Sequence, residues 1–360
     1  NNAIVNVDYL IIGQGLAGSL LGYRLIQAGR RIVIIDPAKE NASRIAGWLI
    51  NPVTGMRFVK NPNAEVCLSH AKRLYQALES TFNTPFFLEK KLLRFFKNAE
   101  EKAAFNKRKN DPAYQPFFNH ATQDNTQLAD FTCPFGAIEQ RQTGHVLTAR
   151  LLVQLQQFFI SHNSYQKTQL HYSDLIVEND AIQWRNISAQ NIIFCEGYHG
   201  AQNPWFSWLP FQPAKGEILT LQSTLALPKE MISYGSWLIP EPVLIFKIGA
   251  TFDTKNMDCK PTVAGKNSLI RALEQINPRL GSAGMVAHRA QIRPCTRDKQ
   301  PFIGRPPQHR RLFIFNGFGA KGCLEIPWYS LLFYKYLTTP STSIPAPANI
   351  NRFYDSHFTG

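Results

Sequence analysis

Three glycines near the start of the chain have the spacing of a dinucleotide-binding turn. Gly13, Gly15 and Gly18 form a GxGxxG pattern directly after the apolar run at residues 7–12. The first glycine of such a pattern permits a tight turn, the second lets a phosphate approach the backbone, and the third lets the helix pack on the strand. The pattern therefore predicts a strand, a phosphate-binding turn and a helix.

The residues around this turn have the polar groups that a dinucleotide requires. Leu16 and Ala17 open the predicted helix, whose free N–H groups and partial positive charge favour a pyrophosphate. Asp36, followed by Pro37, ends the next apolar run, where a carboxylate accepts hydrogen bonds from a ribose diol. NAD and FAD share these groups, so the turn predicts a dinucleotide and leaves both open.

The elements that position these residues follow from the apolar periodicity. Strands at 7–12 and 31–35 flank a helix at 16–27, which makes a βαβ unit. Other helices are predicted at 64–80, 145–160, 267–276 and 328–337. Other strands are predicted at 189–195, 217–222, 236–239, 244–250 and 311–315.

The nucleotide-binding features lie at the start, middle and end of the chain, with β-rich segments between them. We therefore expect an α/β fold, in which a β-rich (α+β) substrate domain is inserted into a discontinuous Rossmann-like cofactor domain. The cofactor domain is expected over 1–80, 144–210 and 288–345, the substrate domain over 81–143 and 211–287, and a C-terminal tail over 346–360. The Pro/Ser/Thr-rich residues 338–349 are expected to form a surface loop.

Composition narrows the class of protein. The 360 residues are 44% apolar and 18% charged, which is typical of a globular protein. The six cysteines are scattered without a CxxC pair, so neither a metal site nor a redox dithiol is expected. No signal peptide or membrane span is expected, and a cytoplasmic, reduced protein is the simplest interpretation.

The chain is strongly basic, with a formal net charge of +14. Residues 89–110 hold eight Lys and Arg, and residues 288–311 hold seven. A solvated basic surface explains this charge, and so does attraction of an anionic partner such as a substrate carboxylate, the cofactor phosphates or a nucleic acid.

Four further motifs decide between the cofactors. They lie at 46–52, at 215–217 with 237–240 and 248–251, at 292–304, and at 316–322. In this order and spacing they resemble the D-amino-acid oxidase superfamily of flavoenzymes, which includes glycine oxidase and sarcosine oxidase. The third motif, an RPxTxDxxPxIG-like pattern, is the most specific. The resemblance covers nearly the whole chain and implies an FAD-dependent oxidoreductase.

The resemblance also implies which residues contact the flavin. They are Gly47, Trp48, Leu49, Glu196, Gly197, Gly304, Gly317, Phe318, Gly319, Ala320, Lys321 and Gly322. The first three would border the isoalloxazine ring. The last six would turn backbone N–H groups toward the N1–C2=O edge, where reduced flavin carries negative charge. Cys295 does not match the offset of the covalent-flavin cysteine of sarcosine oxidases, so noncovalent FAD is expected.

A substrate site is implied by the same resemblance. Arg293 matches the arginine that binds a substrate carboxylate in the amino-acid oxidases, and its planar fork suits a carboxylate. Trp237 is expected as a further substrate contact. His288 lies five residues before Arg293, and this proximity suggests that it either contacts the substrate amine or has a structural role. Ala320 stands where glycine oxidase-like proteins have a second basic residue, so the adjacent Lys321 either faces the flavin or the oxygen site or is solvated.

These residues predict oxidation of a C–N bond in an amine or amino acid of the glycine, sarcosine or D-amino-acid type, by hydride transfer to flavin N5. Alignment of the substrate does most of the work in such chemistry. Two alternatives stay open. The last motif also resembles the FAD domain of the bifunctional tRNA wobble-uridine modification enzyme, which removes a carboxymethyl group from a nucleoside amine. A flavin dehydrogenase with an acceptor other than oxygen is the second alternative.

Overall fold

Two large sheets organise the chain in the computed structural model, which describes residues 3–45, 49–119 and 130–358. Within these ranges the strands are β1 (Val5–Ile12), β2 (Ile32–Asp36), β3 (Leu49–Ile50), β4 (Val53–Thr54), β5 (Val59–Lys60), β6 (Phe87–Glu89), β7 (Leu92–Phe95), β8 (Ala137–Gln140), β9 (Gly144–Val146), β10 (Tyr165–Lys167), β11 (Leu175–Val177), β12 (Ile182–Trp184), β13 (Ile187–Phe194), β14 (Ala214–Gln222), β15 (Met231–Ser233), β16 (Trp237–Pro240), β17 (Ile245–Gly249), β18 (Gly284–Arg293), β19 (Phe302–Gly304) and β20 (Leu312–Asn316). The helices are α1 (Leu16–Gln27), α2 (Ala42–Ile45), α3 (Ala64–Phe82), α4 (Ala99–Arg108), α5 (Thr148–Ser161), α6 (Val263–Ile276), α7 (Gly322–Thr338) and α8 (Tyr354–Phe358).

The first sheet has the parallel centre of a Rossmann-like fold. Its order is β10-β2-β1-β13-β12-β11, with β20 also paired to β13 and β19 paired to β20. β1 is parallel to both β2 and β13. On β1, Tyr9 and Ile11 face one buried cluster while Leu10 and Ile12 face another, so both faces are covered. A strand buried on both faces reads as a continuous apolar run, which is why it was recognisable in the sequence.

The second sheet is separate and mainly antiparallel, with the order β18-β14-β17-β16-β15-β7-β8. One of its faces packs on α6 through residues such as Leu219, Phe246 and Leu273. The predicted fold class, a Rossmann-like α/β unit with a β-rich unit, is confirmed. The domain boundaries stay predictions, and the boundary expected at 288 passes through β18, which lies wholly in the second sheet.

Helix α7 begins six residues earlier than its predicted start at 328, because Pro327 does not end it. Proline lacks the N–H that would bond the carbonyl four residues back, which is that of Cys323. The hydroxyl of the fully buried Tyr75, on α3, donates to this carbonyl instead at 2.7 Å. The first turns of α7 therefore stay helical because another helix satisfies the freed carbonyl.

Two other predictions near element ends were wrong. The helix expected from 145 begins at Thr148, because residues 144–146 form β9 and pair with β3 and β6. The segment 338–349 is not simply a surface loop. Its side chains Ile344 and Ala348 are buried, as is Ile350 in the expected tail, and the carbonyl of Ala348 accepts the N–H of Ile303.

None of the helices in the described ranges is long and apolar enough to cross a membrane. All six cysteines are free thiols, and Cys67, Cys195 and Cys323 are buried. Burial raises the pKa of each of these three thiols, so they behave as small apolar side chains.

Replacement of Tyr75 tests how α7 is completed. We expect Tyr75→Phe to lower the free energy of unfolding by about 1–3 kcal/mol, because the Cys323 carbonyl would be left buried without a donor. Urea denaturation of the FAD-loaded protein measures this change. Tyr23→Phe on α1 is the matched control, since no hydrogen bond of its hydroxyl is seen among the described residues. Equal stability of the two variants would contradict the account.

Candidate cofactor and substrate site

A cavity of about 590 Å³ lies where the carboxyl ends of β1, β2 and β13 meet the second sheet. This volume is in the range of sites for small molecules and cofactors, which are commonly found at this end of open α/β sheets. Residues from the first turn, from the end of β13, from β18 and from the start of α7 line it together.

The first turn fits its predicted role through close backbone packing. Gly13 has φ +111°, and a Cβ there would lie 2.1 Å from the carbonyl oxygen of Cys195. A Cβ on Gly18 would lie 2.0 Å from the carbonyl oxygen of Gly13. Gly13, Gly15, Leu16 and Ala17 line the cavity, whereas Gly18 packs behind the turn. The first and third glycines are therefore required by the protein itself, and the second faces the space for a ligand.

Asp36 is fixed at the end of β2 by two backbone groups. Its carboxylate accepts the N–H of Gln14 at 2.8 Å and that of Ala38 at 2.7 Å, one on each oxygen. Asp36 and Pro37 both line the cavity. Each carboxylate oxygen has a second lone pair, so Asp36 can shape the turn and still accept a ribose hydroxyl.

Polar groups that sequence reasoning missed surround the same turn. The hydroxyl of Ser43, on α2, accepts the N–H of Leu16 at 3.1 Å. Thr148 opens α5 beside the cavity, and its buried hydroxyl has no partner in the described structure; the same holds for Nε of Arg44. Buried donors without a partner, close to the N-termini of α1 and α5, suit an anionic ligand such as a pyrophosphate. The signal in the sequence that could have indicated these polar groups is the pair Ser43-Arg44, which follows the second strand.

The end of β13 carries the predicted pair Glu196 and Gly197, and both line the cavity. The carboxylate of Glu196 accepts hydrogen bonds from the Tyr172 hydroxyl and from Nδ2 of Asn203, the latter at 2.8 Å. Burial raises the pKa of Glu196, and these two hydrogen bonds oppose the rise. Gly197 has φ +60° with open space around it, as a close backbone approach to a ligand requires.

The turn before α7 brings only part of the last motif to the cavity. Phe318, Gly319 and Gly322 line it, and Gly322 begins the helix. Gly317 packs against Thr296, while Ala320 is exposed.

Lys321 precedes α7 and is half-buried, outside the lining of the cavity. The positive charges of Lys321 and Arg293 both act on the thiol of Cys295, whose pKa is nevertheless raised by burial. The two cations thus share one neighbourhood, which leaves the expected role of Lys321 near the flavin as a prediction.

Arg293, at the end of β18, lines the cavity and is only partly engaged by the protein. Its Nη2 donates to the carbonyl of Thr251 at 2.9 Å, and Phe252 lies 5.4 Å from the guanidinium carbon. Its Nε is buried and has no partner among the described residues. Burial lowers the pKa of this guanidinium. A half-buried cation with an unused, buried donor beside a cavity is suited to receive an anion.

Trp237 lies on the same sheet face as Arg293. In the register, Arg293 is opposite Ala214, Ile218 is opposite Gly249, and Gly249 is opposite Trp237, so alternation places all of them on one side. The indole lies over Gly249, where a Cβ would be 2.5 Å from its Cζ2. Trp237 is outside the cavity lining, but it packs against the apolar cluster beside it.

The remaining predicted residues lie away from the cavity lining. His288 is an odd number of residues from Arg293 and therefore points to the opposite face, where its Nε2 lies 2.9 Å from the Glu217 carboxylate. It is better described as a support of the sheet than as a substrate contact.

The other predicted residues also lie away from the cavity lining or outside the described residues. Gly304, with φ +139°, packs against Ile350, and Leu49 packs with the cluster of Trp237. Gly47 and Trp48 lie outside the described residues.

Comparison with known families decides the cofactor class. The profile described as "DAO: FAD dependent oxidoreductase" matches residues 8–332. The chain belongs to the DAO family. The predicted family and its cofactor, FAD, are therefore confirmed. The first turn, the unpaired hydroxyl of Thr148 and the N-terminus of α7 line the cavity and would hold FAD in this chain.

Individual relatives within the DAO family differ in how much of this chain they match. A glycine oxidase from Pseudomonas putida is 30% identical over 141 residues, which are 39% of this chain and 39% of that protein. A tRNA 5-methylaminomethyl-2-thiouridine biosynthesis bifunctional protein from Hahella chejuensis is 25% identical over 90% of this chain and 56% of that protein. The chain thus matches only about 39–56% of the length of these relatives.

The fold is shared with a protein whose crystal structure is known. The crystal structure of glycine oxidase from Geobacillus kaustophilus superposes with a TM-score of 0.83, over 96% of this chain and 99% of that chain, at 19% identity. At this identity the likeness establishes the fold and the two-sheet architecture alone.

Replacement of Gly18 tests the DAO-type turn. We expect Gly18→Ala to lose most bound FAD, because its Cβ would overlap the Gly13 carbonyl and push the helix from the strand. Gly284→Ala is the matched control, since a Cβ there meets nothing within 4 Å. Flavin absorbance per protein after gel filtration measures occupancy. Equal FAD content in the two variants would refute the steric argument.

Proposed function

We propose that this protein uses FAD to oxidise the C–N bond of an amine that carries a carboxylate on the adjacent carbon, as in glycine or an N-substituted glycine. The observation that carries the proposal is Arg293, which is half-buried beside the cavity with Nη2 anchored and Nε buried and unpaired among the described residues. A carboxylate bound by this fork has its α-carbon directed into the cavity.

In this proposal the role of Arg293 is to position the substrate. Gly216 makes room for the guanidinium, since a Cβ there would lie 3.2 Å from Nη2 of Arg293. Gly249 makes room in the same way for the Trp237 indole, which packs on the same face of the sheet. FAD, when bound, supplies the acceptor for two electrons.

Arg293→Met tests the carboxylate site. We expect kcat/KM for glycine or N-methylglycine to fall roughly 10- to 100-fold, because a hydrogen bond to a charged group contributes about 1.5–3 kcal/mol. Anaerobic reduction of the flavin measures the reaction without depending on the final acceptor. Arg289→Met is the matched control, since Arg289 lies on the same strand and pairs with Glu40 at 3.3 Å. An unchanged kcat/KM in Arg293→Met would exclude this site.

A second candidate function has its own support. The tRNA-modifying relative matches 90% of this chain, whereas the glycine oxidase matches 39%. The net charge of +14 also suits a polyanion. A carboxymethylaminomethyl nucleoside presents the same glycine fragment to Arg293, so both candidates share the chemistry of the cavity. Under this proposal the nucleotide would remain outside it.

Binding of tRNA distinguishes the two candidates. If tRNA is the substrate, we expect its affinity to fall by roughly 10³-fold or more between 50 and 200 mM salt, because counterions are released at the phosphate contacts. Filter binding across this range gives the slope. Arg293→Met serves as the control, since it should retain tRNA binding and lose turnover. Absence of salt-dependent binding would leave the small amine as the substrate.

A further inference from the structure

The loop at residues 251–262 contributes both to the wall of the cavity and to the support of Arg293. Cys259 lines the cavity, and its Sγ lies 3.6 Å from Oε1 of Gln291, which lines the cavity too. At the start of the loop, Thr251 accepts the hydrogen bond of Arg293, and Phe252 lies against the guanidinium. The conformation of this loop therefore fixes where the guanidinium points.

Both ends of the 251–262 loop are fixed to strand β14. The backbone of Asp253 exchanges two hydrogen bonds with that of Lys215, at 2.7 and 3.0 Å. At the other end, the Glu217 carboxylate accepts the N–H and the hydroxyl of Thr262, at 2.6 and 2.7 Å. Between these anchors residues 254–261 are all exposed, so packing does little to hold the middle of the loop.

The side chain of Lys215 holds that middle part. Lys215 is only 1% exposed, although it is a lysine on the strand next to Arg293. Its ammonium group donates to Oδ1 of Asp258 at 2.7 Å and to the carbonyl of Lys260 at 2.6 Å. The bond from Lys215 lowers the pKa of the Asp258 carboxyl. A buried ammonium is retained only when it is paired, so the loop and the lysine stabilise each other.

We propose that Lys215 is a positioning residue for the carboxylate site: through Asp258 and Lys260 it holds the 251–262 loop in the place where Thr251 and Phe252 direct Arg293 into the cavity. The inference rests on the proposed function of Arg293. When the lysine or its partner is lost, the loop samples other conformations and only a fraction of molecules has Arg293 correctly placed. The apparent affinity for a carboxylate falls by that fraction.

The test uses the FAD-loaded enzyme and glycolate, a carboxylate without an amine, whose binding is followed through the visible spectrum of the flavin. We expect Asp258→Asn to weaken glycolate about tenfold, which corresponds to one molecule in ten holding the loop in place. Flavin content should stay within about twofold of the parent, since Asp258 itself is exposed and outside the cavity lining. Asp258→Glu keeps the charge on an exposed side chain and should recover most of the affinity.

Lys215→Met should weaken glycolate at least as much as Asp258→Asn. Lys255→Met is the matched control, because it removes one positive charge from the exposed part of the same loop without touching the contacts of Lys215 with Asp258 and Lys260. With glycine or N-methylglycine, the change should appear in KM more than in kcat. If Lys215→Met does not fold, Asp258→Asn carries the test alone, because Asp258 is on the surface.

Hydrogen exchange of the loop gives a readout that does not depend on Arg293. In Asp258→Asn without glycolate, amides of residues 251–262 should exchange faster than in Lys255→Met. Unchanged exchange, or unchanged glycolate affinity in Asp258→Asn, would overturn the role of Lys215. Unchanged glycolate affinity in Arg293→Met would instead overturn the proposed function, so the two failures are distinguishable.

Discussion

The close contact of three backbone segments at Gly13, Gly18 and Cys195 is the constraint on which the cofactor half depends. The turn after β1 touches the end of β13, and the first turn of α1 touches the turn itself, both at distances that leave no space for a Cβ. This contact brings the N-terminus of α1 to the carboxyl edge of the sheet. It also sets where β13 delivers Glu196 and Gly197, so the cavity exists only because the two strands end together.

Strand β14 has a similar place in the second sheet, because three consecutive residues on it have different partners. Lys215 holds the 251–262 loop, Gly216 makes room for Arg293, and Glu217 binds both Thr262 and His288. Alternation along the strand separates these roles, since the glycine faces the cavity side and its neighbours face the other. A short Lys-Gly-Glu motif therefore supports the arginine from both sides of the sheet.

The local sequence pattern was enough to predict much of the fold and of the candidate site. It failed where segments that are distant in sequence meet. The βαβ unit and the glycine turn were predictable because sterics at Gly13 and Gly18 leave few alternatives. The early start of α7 was not, because the partner of the Cys323 carbonyl is Tyr75, 248 residues away. The positions of Ser43 and Thr148 beside the cavity depend in the same way on how separate helices converge.

The placement of His288 was a different case, because the sequence contained the signal. His288 and Arg293 are five residues apart, and an odd spacing on one strand places two side chains on opposite faces. Proximity in sequence had suggested a shared site. The two-residue period of side chains on a strand argues against a shared site. The hydrogen bond between His288 and Glu217 shows what His288 contacts instead.

The two candidate substrates differ outside the part of the cavity that Arg293 defines. A carboxylate on this arginine fixes the α-carbon, and Gly216 and Gly249 leave the sheet behind it without side chains of their own. Phe252, next to Arg293, is 68% exposed, so the proposed carboxylate site lies close to solvent. Under the proposed function a larger group on the amine would extend outward without entering the cavity. Selection between a small amine and a nucleoside would then depend on the surface outside the cavity, and the net charge of +14 of the whole chain would suit a polyanion.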